Sequence, residues 1–409
     1  MKTSIVSEFL NTHDGNEANR ILRSCVHCGF CNATCPTYQL LGDELDGPRG
    51  RIYLIKQVLE GEAPTQQTQL HLDRCLTCRN CETTCPSGVD YGQLLNIGRS
   101  IVNKKVERDL SQIMLHTVLR KTFLSADLFS SLIMTGQLFR PVLPKQIKNV
   151  IPKRQKKLHF EKITRNRKLL LVAGCVQPSL KPNIDAAAKI VFDKLDIECV
   201  ETPAAGCCGS LSHHLSAEDE AIKIIKKNID SWWPLIQNNS IEAITMTASG
   251  CGVAIKEYAQ LLAYDKSYRD KASAVSALYK DPAEIISHEL NNDKSKINQL
   301  QNKPQNSAIA YHPPCTLQHG LQLNNIIEPI LSRCGFNIKP FKDQHLCCGS
   351  AGTYSITQKT LSQQLLKNKL NNINQTEHDI IVTANIGCQL HLQSATSTPV
   401  KHWLELLIE

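Results

Sequence analysis

The sequence predicts an α+β chain of several domains: a helical amino-terminal module followed by two copies of one α/β unit. Three observations carry that expectation. Residues 25–36, CVHCGFCNATCP, and residues 75–86, CLTCRNCETTCP, repeat one arrangement of four cysteines and a proline. Farther on, an adjacent cysteine pair before glycine occurs twice, as Cys207-Cys208-Gly209 and Cys347-Cys348-Gly349. Around each pair, short apolar runs alternate with longer amphipathic ones, the pattern of a parallel sheet covered by helices.

Composition narrows the chemistry. The chain has 409 residues, 42% of them hydrophobic and 21% charged, enough to bury a core in two or three domains. No apolar run approaches the ~18 residues of a membrane span. The first residues, MKTSIVSEFLNTHDGNEANR, are polar and lack the apolar stretch of a secretory leader, so a cytoplasmic protein is expected. The formal charge of +8 overstates the folded charge if eight cysteines ligate as thiolates. No basic stripe is interleaved with aromatics, which make up 5%, and no nucleic-acid partner is expected. Eighteen cysteines in a reducing compartment point to metal or redox chemistry rather than to disulfides.

The amino-terminal module, placed at residues 1–105, is read from its two cysteine runs. Zinc sites commonly join two separated C-x-x-C knuckles. Here Cys25, Cys28 and Cys31 stand three apart, as do Cys75, Cys78 and Cys81. Three sulfurs on one loop suit three corners of an iron–sulfur cube. In the bacterial ferredoxin pattern C-x2-C-x2-C-x3-C-P the fourth cysteine ligates the other cluster. The expected assignment is therefore crossed. Cys25, Cys28, Cys31 and Cys85 hold one [4Fe–4S] cluster, and Cys75, Cys78, Cys81 and Cys35 hold the second. Pro36 and Pro86 turn the chain after the shared ligand, and Gly29 lets the loop approach the cluster. Two zinc knuckle clusters are the competing reading. Of the 39 residues between Cys35 and Cys75, a helix is expected from near Pro48, with Ile52, Leu54, Ile55, Val58 and Leu59 on one apolar face. Arg49 and Arg51 either face the anionic clusters or stand solvated at that helix start. Two clusters make a short electron wire, where one would serve a structural role.

Residues 106–167 are expected to link the domains through helical turns, prolines and the basic run KRQKK. That run is suited to anionic lipid head groups, which gives a peripheral membrane contact. An exposed linker explains it as well and is the preferred reading.

The two α/β units are placed at 168–295 and 305–409. Cys175 precedes Cys207 by 31 intervening residues, and Cys315 precedes Cys347 by the same number. Strands are expected at Leu169–Ala173 and Ala308–Tyr311, then at IECV and NIKPF before each cysteine pair, and a third in each unit ending on Cys251 or Cys388. Helices fall around IDAAAKIVFDKL, EDEAIKIIKKNIDSWWPLI, NNIIEPILSRC and TQKTLSQQLLKNKLNNI. Cys175, Cys207, Cys208 and Cys251 thus form one quartet, and Cys315, Cys347, Cys348 and Cys388 a second. Each quartet suits a further cluster, a reactive-thiol site, a vicinal disulfide or simple packing. Cys199 and Cys334 are placed in helix-to-strand connections as structural residues. Of the nearby histidines (His213, His214, His312, His319 and His345), His312 and His345 are expected near the sites.

With these motifs in hand, the chain resembles, over nearly its full length, the iron–sulfur subunits of bacterial glycolate oxidases (glycolate dehydrogenases). The resemblance rests on both cysteine runs, PRGRIYLIK, SGCGVAIKEY and the two CCG units. A dicluster module followed by two CCG domains is also found in the small subunit of anaerobic glycerol-3-phosphate dehydrogenase, in lactate-utilisation proteins and in heterodisulfide reductase subunits. CCG domains of the last end in C-x-x-C, whereas here GVA follows Cys251 and QLH follows Cys388. The resemblance implies an electron-transfer subunit in a complex with FAD-containing dehydrogenase subunits. Those would oxidise glycolate to glyoxylate and send electrons through this chain towards quinone. No G-x-G-x-x-G fingerprint follows a strand here, in keeping with a flavin site elsewhere. An equivalent subunit for lactate or glycerol 3-phosphate, and a redox-sensing thiol protein, are the alternatives.

Overall fold

The amino-terminal module is helical because its apolar residues recur at helical spacing. The helix Pro48–Leu59 opens on a proline, whose missing N–H is not needed in a first turn, and buries Ile52, Ile55, Val58 and Leu59. It packs on the helix Tyr91–Lys105, which turns Leu94, Leu95, Ile97 and Val102 inward. The two approach closely at Gly98, where an added Cβ would lie 2.6 Å from Ile55 Cγ1. The helix His13–Ser24 completes the core with Ile21 and Leu22. In this computed structural model residues 1–144, 148, 151–160, 163–202, 206–300 and 307–408 are described, and among those before residue 106 there is no strand.

Both cysteine runs bend the backbone alike. The third residue of each, His27 and Thr77, and the fifth, Gly29 and Arg79, are left-handed, with φ of 60°, 51°, 86° and 59°. Each run then enters a single helical turn, Phe30–Ala33 or Asn80–Thr83. Glycine bears this conformation freely, whereas an arginine gives up roughly 1–2 kcal/mol to hold it.

After this module come the helices Leu110–Leu124 and Ala126–Leu138, each with a single buried side chain, Leu119 and Phe129. Many of their other apolar residues are exposed, including Leu110, Met114, Val118, Met134 and Leu138. No helix among the described residues is long and apolar enough to cross a membrane.

The duplicated half forms two parallel sheets. Strands β1 (Arg167–Leu171), β2 (Ile197–Val200) and β3 (Ala243–Thr245) are ordered β2-β1-β3. Strands β4 (Ala308–His312), β5 (Asn337–Ile338), β6 (Ile380–Thr383) and β7 (Val400–His402) are ordered β5-β4-β6-β7. The registers match: Leu170 faces Ile244 as Ala310 faces Ile381. The first unit keeps only a trace of a fourth strand, the parallel bridge between Ile244 and Tyr279. Alternate residues of β1 serve different cores. Leu169 and Leu171 join Phe192 and, from the second unit, Tyr311 and Trp403, so the units share one apolar interior. Leu170 and Val172 pack instead on Ile225, Ile229 and Trp232 of the helix Glu218–Gln237.

Three sequence expectations are corrected. The third strands stop at Thr245 and Thr383, and Cys251 and Cys388 lie in the first turns of the helices Ser249–Lys256 and Ile386–Gln393. The apolar run does not stay extended because Asn385 caps the second of these helices, accepting the Gly387 N–H. Cys199 lies within β2, opposite Leu169, rather than in a connection. The strand expected over NIKPF is confined to Asn337–Ile338, just before Pro340, which has no N–H to donate.

Candidate cluster sites and thiol quartets

Two cavities open between the cysteine runs. The first is lined by Cys25, Cys28 and Cys31 from one run and by Cys85 and Cys81 from the other. The second is lined by Cys75, Cys78 and Cys81, with Cys35 reaching in from the first run. Cys81 borders both. Burial raises the Cys25 thiol, takes that of Cys31 to about 11, and holds those of Cys78 and Cys81 well above the ordinary value. A metal reverses this penalty, since it binds the thiolate and releases the proton.

Polar groups are aimed at the second set of sulfurs. Tyr91 donates its hydroxyl to Cys75 Sγ at 3.6 Å, and the Thr77 N–H points at the same sulfur from 3.5 Å. Thr37 Oγ1 stands 3.3 Å from Cys35 Sγ. Arg51 lines this cavity and is fully buried. It donates to the His71 carbonyl at 2.7 Å and pairs with Asp46 at 3.4 Å, while Arg74 meets the same carboxylate at 2.8 Å. Arg49 lines the first cavity and pairs with Glu44 at 2.6 Å. At least four soft sulfurs line each cavity, and at the second the hydrogen-bond donors and the buried Arg51 stand beside them, a set that fits an anionic iron–sulfur cube.

The second cavity abuts the carboxy-terminal unit. Leu76 and Cys78 share a buried cluster with Cys347, Tyr354, Leu361 and Leu365, and Cys315 packs against it. Polar contacts fix the seam. Thr83 Oγ1 and His319 Nδ1 are 2.9 Å apart, Asn80 donates to the His345 carbonyl at 3.3 Å, and Tyr354 donates to the Arg74 carbonyl at 3.1 Å. The first unit meets the module through Arg79 and Glu257, which form an ion pair, and through Asn103, which donates to Ser216 at 2.6 Å.

Each unit gathers its quartet at the carboxyl end of its sheet, where parallel α/β folds collect functional groups. Gly209 and Gly349 are left-handed, with φ of 87° and 91°, and direct their N–H groups at Cys207 Sγ and Cys347 Sγ from 3.5 and 3.4 Å. The sulfurs touch in chains. Cys175 and Cys208 together pull the Cys207 thiol down to about 3, and Cys207 and Cys251 push Cys208 up. In the second unit Cys315 Sγ lies 3.9 Å from Cys347 Sγ. Cys315 and Cys348 lower Cys347, and Cys347 and Cys388 raise Cys348.

The surroundings of the quartets differ. In the first unit Asn228 donates to the Cys207 carbonyl and Tyr258 to the Cys208 carbonyl, both at 2.8 Å. In the second, Lys369 is buried and donates to the Asp343 and Gln344 carbonyls at 2.7 and 3.3 Å; burial pushes its ammonium down to about 8. His312 lies fully inside, and burial, followed by the Lys369 charge, takes its imidazole down to about 3.

His312 is thus near a quartet, as expected. His345 is exposed and contributes its carbonyl. His214 is exposed, and His213 is half-buried. His319, which sequence reasoning passed over, joins the two regions, and Lys369, Asn228 and Tyr258 were also missed. A polar residue on the inward face of an amphipathic helix was the available signal for Asn228 and Lys369.

Residues 21–89 match the family of 4Fe-4S dicluster domains, and residues 169–256 and 309–393 match the cysteine-rich domain family CCG. The chain is 49% identical over 414 residues to the glycolate oxidase iron–sulfur subunit of Escherichia coli (strain K12), covering 100% of this chain and 98% of that one. It is 28% identical over 420 residues to the probable glycolate oxidase iron–sulfur subunit of Bacillus subtilis (strain 168), covering 95% and 91%. Lactate utilization protein A of Bacillus pumilus is 24% identical over 226 residues, covering 55% of this chain and 90% of that one. Among solved structures, a hypothetical protein from Helicobacter pylori shares the fold, with a TM-score of 0.55 at 8% identity, covering 97% of this chain and 72% of that one.

Proposed function

This chain belongs to the family of glycolate oxidase iron–sulfur subunits, and from that premise we propose how its cysteines divide the work of moving electrons. It is the iron–sulfur subunit of a glycolate oxidase and carries two [4Fe–4S] clusters. Each cluster, when bound, supplies a site that takes up and passes on one electron at a time. Cys25, Cys28, Cys31 and Cys85 hold one, and Cys75, Cys78, Cys81 and Cys35 hold the other. The observation that carries this reading is that each cavity is lined by sulfurs of one run's closely spaced trio together with the last cysteine of the other run, Cys85 at the first and Cys35 at the second, while Cys81 borders both. Arg51 and the Tyr91 hydroxyl stabilise negative charge on the second set of sulfurs.

The electron route continues into the second α/β unit, because Cys78 and Cys347 share one buried cluster. A flavoprotein partner removes a hydride equivalent from glycolate and delivers its electrons singly to this chain. The acceptor is a quinone. In support, a cavity of about 350 Å³ borders Cys75 and is walled by Arg99, Tyr354, Leu115 and His116, the last two on the outward-facing helix Leu110–Leu124. That helix and its successor rest on the anionic inner face of the cytoplasmic membrane. Residues 110–157 hold nine lysines and arginines against the single acid Asp127, and Leu110, Met114, Val118, Met134 and Leu138 among them are exposed. The same reading divides the chain at 1–105, 106–167, 168–295 and 305–409.

The test is Cys85→Ser in the complex purified without oxygen. The paramagnetic signal of the cluster held by Cys25, Cys28 and Cys31 is expected to be lost first. Selective loss of the other signal would refute the crossed scheme. Flotation with anionic but not with neutral vesicles is expected for the membrane contact; equal flotation with both, or none, removes it.

A further inference from the structure

Three residues before its first cysteine the second α/β unit carries His312, where the first carries Val172. His312 ends β4, in register with Thr383 of β6. It is 1% exposed, and neither Nδ1 nor Nε2 has a hydrogen-bond partner. An imidazole sealed from water with both nitrogens unsatisfied costs about 1–3 kcal/mol for each lost partner. The fold has a reason to keep it only if something completes it. One nitrogen lies with Cys348 Sγ and Cys388 Sγ, all three within 4.8 Å of one another and all three residues buried. The Cys315–Cys347 pair, with its sulfurs 3.9 Å apart, adjoins them.

One other group of this kind occurs among the described residues, at Asp43, Asp46 and His71, but its buried carboxylate is already matched by Arg51 and Arg74. Among the described residues the His312–Cys348–Cys388 group has no ion pair or hydrogen bond to a cation; the buried Lys369 spends its bonds on the Asp343 and Gln344 carbonyls and acts on the group only by its charge, and the group's donors are softer. Thiolate and imidazole together select thiophilic first-row ions, with sulfur near 2.3 Å and nitrogen near 2.0–2.1 Å in tetrahedral zinc sites.

We propose that the second α/β unit binds one thiophilic divalent metal ion, ferrous iron or zinc, through Cys348, Cys388 and a ring nitrogen of His312, with the Cys315–Cys347 pair supplying the fourth donor. The first unit has four thiols but Val172 in place of the imidazole, and does not build this centre. The inference deepens the assignment of cysteine sites made above and rests on it, yet it is tested separately.

The experiment uses the full chain in its complex, purified without oxygen, with iron, zinc and labile sulfide counted in the wild type and in His312→Val. The wild type is expected to hold about eight irons in its amino-terminal clusters and roughly one further metal ion, iron or zinc, per chain. His312→Val, which copies the first unit, is expected to lose that ion and keep the eight irons. Retention of the ion in this variant, or its absence from the wild type, overturns the proposal. As a second measurement, the wild type is stripped at the weaker site and refilled with cobalt(II). Thiolate-to-metal absorption with nitrogen hyperfine coupling is expected, and coupling to sulfur-bound cobalt without nitrogen overturns the ligand assignment even if the variant fails to fold. Should the eight irons be missing while the single ion is held, the dicluster reading falls and this one stands.

Discussion

The two α/β units present the same four thiols on the same frame and surround them differently. Both place a left-handed glycine after the cysteine pair and aim its N–H at the first sulfur of that pair. The carbonyl of Ala221 lies over Gly209 as the carbonyl of Ser362 lies over Gly349. Seven residues on, the helices Glu218–Gln237 and Lys359–Ile373 carry Asn228 and Lys369, respectively. The first unit thus ties its cysteine backbone with neutral donors, Asn228 and Tyr258. The second adds a buried cation and a buried imidazole, and it alone shares a buried cluster with Cys78. Duplication kept the backbone that shapes the thiols, and divergence in the next layer of side chains gave the copies different electrostatics. One copy reads as a scaffold and the other as a working site.

The sharpest way to break this contrast is to remove one sulfur from each copy. Cys347→Ser is expected to lower glycolate oxidation by the complex at least about a hundredfold, an added barrier of about 2.7 kcal/mol. Cys207→Ser should change it less than about threefold. Equal losses would erase the functional difference between the units.

Backbone strain comes next. An added Cβ at Gly349 would meet the Ser362 carbonyl oxygen at 2.7 Å and Leu365 Cβ at 2.9 Å; at Gly209 the nearest atoms are at 3.2 and 3.4 Å. Gly349→Ala should cost about 3 kcal/mol or more, and Gly209→Ala about 1–2 kcal/mol, read by denaturant unfolding.

Two buried helix caps, one just after the Ile244–Tyr279 bridge and one at the end of β7, give opposite pH behaviour. Asp281 caps the helix Pro282–Asn292, and His402 caps Trp403–Leu406, both in capping boxes. Burial pushes Asp281 up to about 7 and His402 down to about 4. A lowered histidine binds fewer protons folded than unfolded. Its stability is therefore complete above about 6.5 and lost as pH falls towards 4, on the order of 3 kcal/mol in all. The raised aspartate acts in the other direction: its stabilisation is present below about 4 and lost as pH rises through 7. His402→Gln should flatten the acid limb of an unfolding-versus-pH profile, and Asp281→Asn the neutral limb. The smallest effect expected is that of Tyr258→Phe, about 1 kcal/mol, from the bond to the Cys208 carbonyl that has no counterpart at Lys369.

Much of this was legible in the sequence, and the remainder was not for physical reasons. Three thiols at spacing three constrain one loop, so both cysteine runs and both quartets could be read from local spacing. The helix Pro48–Leu59 was legible from its proline and its apolar face. Cys251 and Cys388 were set on strand ends because the apolar run continues past Thr245 and Thr383; only a capping side chain such as Asn385 marks the change to helix. The seam of Asn80, Thr83, His319 and Tyr354 joins residues more than 200 positions apart and leaves no local pattern. The segment of alternating helices between Tyr258 and Leu300 and the short strand Val400–His402 had no motif to announce them.

Arg79 closes the account. It sits where the other run has glycine, holds a left-handed backbone, and pairs with Glu257 of the first α/β unit. Within its own module its charge also favours the carboxylate of the half-buried Glu82, and its guanidine group packs over Gly92. The loop that lines the second cavity is thus tethered to a neighbouring domain through a single guanidinium.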